Sequence, residues 1–183
     1  MKNILRKVMT PAAALTGALA LTLGLSSPAS AASAYRQVVV NGDTFNLVVA
    51  APSHLSKDGS DVRVFGTGFN RAQGIFIALC VIPDSVDPRD PATYTERPTP
   101  CVGNGPGDTS GAAHRVTDTA TGTPGITSRY GPNGSFRALL KLTPKLADGS
   151  VCSVDVRCAL VTRADFTATN DRSYDTYIPV TFS

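Results

Sequence analysis

The chain has 183 residues, with 17 Lys and Arg against 14 Asp and Glu. Lys2, Arg6 and Lys7 hold three of those positive charges, so beyond residue 31 the chain carries 14 basic against 14 acidic residues. That balance excludes a protein that grips nucleic acid through a broad basic surface, and because both methionines (Met1 and Met9) lie in the same segment it also excludes Met-ligated copper carriage.

The first 31 residues follow the grammar of export. After the positive head, residues 12–25 are apolar and rich in Ala and Leu, and Ala29-Ser30-Ala31 offers the small residues a signal peptidase requires. Ala32-Ser33-Ala34 repeats that signal, leaving the cut open over three positions. The apolar run is shorter than the ~20 residues of a membrane span, and no later segment is apolar enough for one. We expect residues 1–31 to be a cleaved signal peptide and residues 32–183 a single secreted, extracellular domain, a monomer with no membrane span.

The elements then read as strands. Segments 37–41, 45–50, 61–66, 75–82, 135–142, 157–166 and 177–182 are short and rich in Val, Ile, Phe and Thr, and several alternate, as in Val62-Arg63-Val64. Asn41-Gly42, Asp58-Gly59, Asn133-Gly134 and Asp148-Gly149 sit between them, dipeptides that accept positive φ in tight turns. A single Glu (Glu96) and 16 Gly with 13 Pro disfavour helices. The spacing predicts an all-β protein, an immunoglobulin-like antiparallel β-sandwich of about seven strands. Pro179 requires the last strand to be an edge or bulged at that point. Residues 83–132, rich in Pro, Gly, Thr and Asp, form a long loop-rich insertion with at most a short strand near 115–119.

Cys80, Cys101, Cys152 and Cys158 are even in number in a chain read as exported, so disulfides are expected. Three pairings are open. Proximity favours Cys80–Cys101 and Cys152–Cys158, two short-range bridges that would contribute roughly 2 to 3.5 kcal/mol each. Zinc ligation is disfavoured, because no Cys-x-x-Cys pair and no nearby His are present. With no cysteine left over, a catalytic thiol is disfavoured too. In this reading the insertion is tied down between Cys80 and Cys101, while residues 102–130 carry no staple.

From Leu55-Ser56-Lys57-Asp58-Gly59 through Gly66-Thr67-Gly68-Phe69 the chain resembles the opening of the neocarzinostatin family, secreted actinobacterial apoproteins that sequester enediyne chromophores. The family pattern is a Leu-Ser-Asp-Gly turn, an alternating strand and Gly-x-Gly followed by an apolar residue; here one Lys precedes the Asp. Residues 70–80 continue the match to the first half-cystine. Asn133-Gly134-Ser135 is similar to the turn before a central strand, Asp148-Gly149-Ser150-Val151-Cys152 with Cys158 to a short second disulfide loop, and residues 177–182 to the closing strand. The resemblance spans most of residues 48–183, interrupted by the insertion.

The resemblance implies a non-enzymatic, antimicrobial carrier with no cofactor beyond a non-covalently held chromophore. Its ligand would be small and apolar, and DNA would be met only indirectly, through that ligand. The family cleft lies between the sandwich and a disulfide-held ribbon. Its wall would be Phe76, Ala78, Cys80 and Ile82, alternate residues leading through the first cysteine, and the short loop around Thr162 and Arg163 would flank it. The rival reading of the same alternating face is ordinary sandwich core. The rival function is an extracellular or cell-envelope interaction module with no small-molecule ligand, its insertion meeting a partner.

Other chemistry finds little support. Gly107-Asp108-Thr109-Ser110-Gly111 resembles a serine-protease nucleophile loop only superficially, and His114 is too near Ser110 in sequence to imply a triad. His54 and His114 are the only imidazoles, so a metal site is disfavoured. Asp84, Asp87 and Asp90 lack the Glu of a calcium loop. Tyr94 and Tyr130 are weak candidates for haem ligands, and no phosphate-cradling glycine loop is present.

Overall fold

The computed structural model describes residues 31–103, 108–119 and 122–183. Apart from Ala31, the expected signal peptide lies outside the described residues.

Two antiparallel strands open the fold, β1 (Ala31–Val40) and β2 (Asp43–Pro52). They are joined by Asn41 and Gly42 at φ 52° and 89°, the pair of positive φ values whose twist matches a two-residue hairpin. Both β4 (Ser60–Thr67) and β8 (Phe136–Leu142) alternate buried and exposed residues, because one face of each meets the interior and the other meets water. Together these strands make a four-stranded sheet in the order β1-β2-β4-β8.

The second sheet is built from β3 (His54–Leu55), β5 (Ile75–Val81), β6 (Ala113–Val116), β7 (Thr127–Ser128), β9 (Cys158–Ala164) and β10 (Thr176–Phe182). Its order is β3-β10-β9-β5-β6-β7, with β5 paired antiparallel to both β9 and β6. In β5 the sequence is apolar at every position, and β9 is buried throughout. A strand of that kind has both faces covered. Its inner face gives Ile75, Ile77 and Leu79 to the sandwich core, against Leu47, Val49, Val62, Val64, Leu140 and Leu160. Each buried aliphatic side chain contributes roughly 1.5 to 3 kcal/mol.

Covering the outer face is the work of the insertion. Ala78 and Cys80 of β5, Ala113 of β6, Ala159 and Val161 of β9 and Tyr177 of β10 pack with Ile82, Val86 and Tyr94 in a second apolar cluster. Small residues at 78, 113 and 159 leave room for the Tyr94 ring, which meets Tyr177 edge-on at 4.6 Å. Its hydroxyl donates to the Pro88 carbonyl at 2.8 Å. Both disulfides form as proximity favours, Cys80–Cys101 and Cys152–Cys158. Around the first, Val102 N–H donates to Leu79 O at 2.9 Å and Val81 N–H to Pro100 O at 3.0 Å, so the loop's return leg docks on β5.

All seven expected strands occur, and the fold is an all-β sandwich of two sheets. Two strands, β3 and β7, go beyond the expectation. β3 is a two-residue addition, while β6 and β7 arise inside the insertion, which therefore extends the second sheet instead of remaining a loop; residues 104–107 and 120–121 of it lie outside the described residues. The expected short strand near 115–119 is β6, two residues earlier. Pro179 stands opposite Ala159 on one side only, since β3 reaches β10 just at Thr181 and Phe182. Among the described residues no helix is long and apolar enough to cross a membrane.

Candidate functional site

Where the covering loop ends, a row of three side chains crosses the outer face of the second sheet. Phe76 of β5 lies opposite Arg115 of β6 and opposite Arg163 of β9. Directly paired residues project on the same face, so the Phe76 side chain stands between those of two arginines. The Arg163 guanidinium carbon is 5.7 Å from the Phe76 ring centre. Phe166, just beyond β9, tilts toward Phe76 with ring centres 6.1 Å apart, and Arg115 lies 4.1 Å over the Phe166 ring. Both arginines are within cation–π range. These groups wall a cavity of about 590 Å³, reached also by Arg97, Ala113, Ile126 and Thr169. Pockets for small organic ligands commonly have about this volume.

Phe166 is held in place although 62% of its surface is exposed. Its neighbour Asp165 is buried and receives Arg115 Nε at 2.9 Å and Nη2 at 2.6 Å on Oδ2. The other oxygen accepts from Thr167 Oγ1 at 2.6 Å, from Thr167 N–H at 3.0 Å and from Gln73 Nε2 at 3.2 Å. Burial alone would raise the Asp165 pKa; the Thr167 bonds and the Arg115 charge outweigh it and hold the carboxyl below its ordinary value. Gly74 makes this packing possible, because a Cβ there would stand 2.2 Å from Asp165 Oδ2.

A second polar cluster secures the far end of the same β9–β10 connection. Arg172 Nη1 donates to Asp175 Oδ2 at 3.1 Å, and Arg36 Nη1 reaches across from β1 to the carbonyls of Arg172 and Asp175. Asp175 is fully buried and its Oδ1 has no hydrogen-bond partner. Burial pushes its carboxyl up to about 7, against the pull of Arg172, Arg36 and Arg163.

The wall implied by the resemblance divides. Phe76 and Arg163 line the cavity. Ala78 and Cys80 share the face of Phe76, outside the sandwich core, but are buried beneath Val86 and Tyr94. Ile82 belongs to that cluster too, and borders a separate concavity of about 600 Å³ by the second disulfide, which has no aromatic lining. Thr162 is corrected to the opposite face, and with Arg163 it lies in a strand, not a loop. Consecutive strand residues point to opposite sides, and Thr162 Oγ1 bonds Tyr174 O at 2.8 Å and Thr176 Oγ1 at 2.7 Å in the interior.

The remaining candidates have structural partners. Ser110 closes a local turn with Asp108, and His114 Nε2 meets Ser128 Oγ at 2.9 Å, not Ser110. His54 Nδ1 meets Thr181 Oγ1 at 2.8 Å. Asp87 and Asp90 accept backbone N–H groups two residues ahead. Tyr130 OH donates to Gln73 O at 2.9 Å, and burial raises its pKa. Among the described residues no three His, Cys, Asp or Glu side chains gather as metal ligands.

Sequence reasoning missed Arg115, Asp165 and Phe166. A visible signal existed for Phe166, an aromatic directly after Arg163-Ala164-Asp165 at a strand end. None existed for the Arg115–Asp165 pair, whose members are 50 residues apart. Comparison with known proteins finds no matching family model, no matching curated protein and no matching solved structure.

Proposed function

We propose that this chain is a secreted, non-enzymatic binding protein of the neocarzinostatin type, which sequesters a small apolar ligand in the cavity lined by Phe76 and Phe166. The observation that carries this reading is the cavity itself: about 590 Å³, floored by Phe76, with a largely exposed Phe166 held over its edge by Arg115 and Asp165. An aromatic side chain that gains so little from burial in the fold suits a ligand that covers it. The export signal in residues 1–31 and two bridges in an oxidising compartment support secretion. Relative to the family, the ligand position shifts along β5 toward Phe76, because Tyr94 and Val86 occupy the Ala78 and Ile82 end. DNA enters this reading only through the ligand.

That filled end also favours a second reading, an envelope interaction module whose insertion meets a protein partner. Native mass spectrometry of the protein purified gently from its own culture medium separates the two. A co-purifying small molecule, lost on organic extraction, is the expected result; bare protein recovered with a specific envelope partner contradicts sequestration.

A further inference from the structure

We infer that the ligand of this cavity carries an oxyanion, a carboxylate or sulfonate on an apolar body, and that the Arg163 guanidinium receives it. The inference rests on the binding reading above and adds the chemical class of the ligand.

Three arginines on or beside the second sheet are largely buried, and two of them have carboxylates. Arg115 holds Asp165 and Arg172 holds Asp175. Arg163 is 5% exposed and lines the cavity, and its guanidinium makes no ion pair or hydrogen bond among the described residues; its Nε is buried without a partner. A buried guanidinium with unmet donors is costly unless something anionic meets it. No carboxylate among the described residues stands within ion-pair distance of Arg163. Asp175 attracts Arg163 from a distance but is bridged to Arg172, and both oxygens of Asp165 are engaged. Asp108, also on the cavity wall, accepts the Ser110 N–H. Burial, followed by the charges of Arg97 and Arg172, brings the Arg163 pKa down to about 10, so the group stays charged at neutral pH and in want of a counter-charge. Arg97, exposed at the same cavity, adds a further positive charge. Phe76 beneath the guanidinium fixes the geometry: an apolar body lies against the rings while its oxyanion meets the planar fork.

Two fluorescent probes with the same aromatic body test this, 8-anilinonaphthalene-1-sulfonate and uncharged N-phenyl-1-naphthylamine. Titrating wild type, Arg163→Met and, as control, Arg137→Met on the opposite sheet, we expect Arg163→Met to weaken the sulfonate roughly ten- to a hundredfold. The neutral probe should change less than about threefold, and Arg137→Met should alter neither. Sulfonate affinity unchanged in Arg163→Met, or both probes weakened alike in a variant with wild-type circular dichroism and melting, overturns the inference and leaves the cavity reading standing. Failure of wild type to bind either probe removes the cavity reading itself. A measurement needing no variant guards against misfolding. Biphenyl-4-carboxylate should displace the neutral probe from wild type at concentrations about tenfold below biphenyl-4-carboxamide, and equal potency overturns the inference.

Discussion

Arg115 grips one oxygen of Asp165 with two donors, Nε at 2.9 Å and Nη2 at 2.6 Å, joining the insertion to the strand end that carries Phe166. Both side chains are nearly inaccessible. Removing one member of such a pair leaves the other charge buried and alone, a loss of about 3 to 5 kcal/mol. Asp165→Asn should lower stability by an amount of that order in urea unfolding. Adding Arg115→Met should restore part of it, because the stranded charge is gone; a double variant as unstable as the sum of the singles would show that the two residues do not act as a pair.

Asp175 gives the fold a pH dependence of unusual sign. Its folded pKa of about 7 is above the ordinary carboxyl value of 3.8, so the folded state binds the proton more tightly than the unfolded chain. The stability it contributes is present below about 3.8 and is lost as pH rises toward 7, by at most about 1.4 kcal/mol per unit. His114 opposes it, since burial lowers its pKa from 6.5 and favours the fold as pH rises. Asp165, whose pKa is depressed, acts only below that window. Comparing wild type with Asp175→Asn isolates the first effect: the variant's stability should rise relative to wild type between pH 4 and 7. A difference constant across that range would contradict a raised Asp175 pKa.

The Cys80–Cys101 bridge closes the loop that lays Tyr94 on Tyr177. The double variant Cys80→Ser, Cys101→Ser should lose about 3 kcal/mol. Limited trypsin digestion should then cut first after Arg89, inside the released loop, since Pro98 protects the bond after Arg97. First cleavage elsewhere would show that Tyr94 packing holds the loop without the bridge.

Much of this architecture is legible in the chain. Val62-Arg63-Val64 alternates because β4 has one wet face, and Asn41-Gly42 marks the β1–β2 hairpin because few other pairs accept two positive φ values. β7 escaped, since Thr127-Ser128 is too short to show a period and owes its strand form to parallel pairing with β6. In the site, the resemblance singled out Phe76, Ala78 and Cys80 as one face of β5, but which part of that face stays open depends on where the insertion settles. Local pattern holds no record of that. Thr162 went astray because the resemblance put a loop where composition had already placed a strand, and Asp165 because its partner is far away in sequence.

The most direct test of the ligand cavity is a titration of N-phenyl-1-naphthylamine into wild type and Phe166→Ala. Phe166 is too exposed to matter much for folding, so the variant should keep its stability within about 1 kcal/mol. We expect saturable binding at one site in wild type and about a tenfold loss of affinity in Phe166→Ala, as befits one aromatic wall of the pocket. Absence of saturable binding to wild type, or equal affinity in the two proteins, would contradict a ligand held against Phe76 and Phe166.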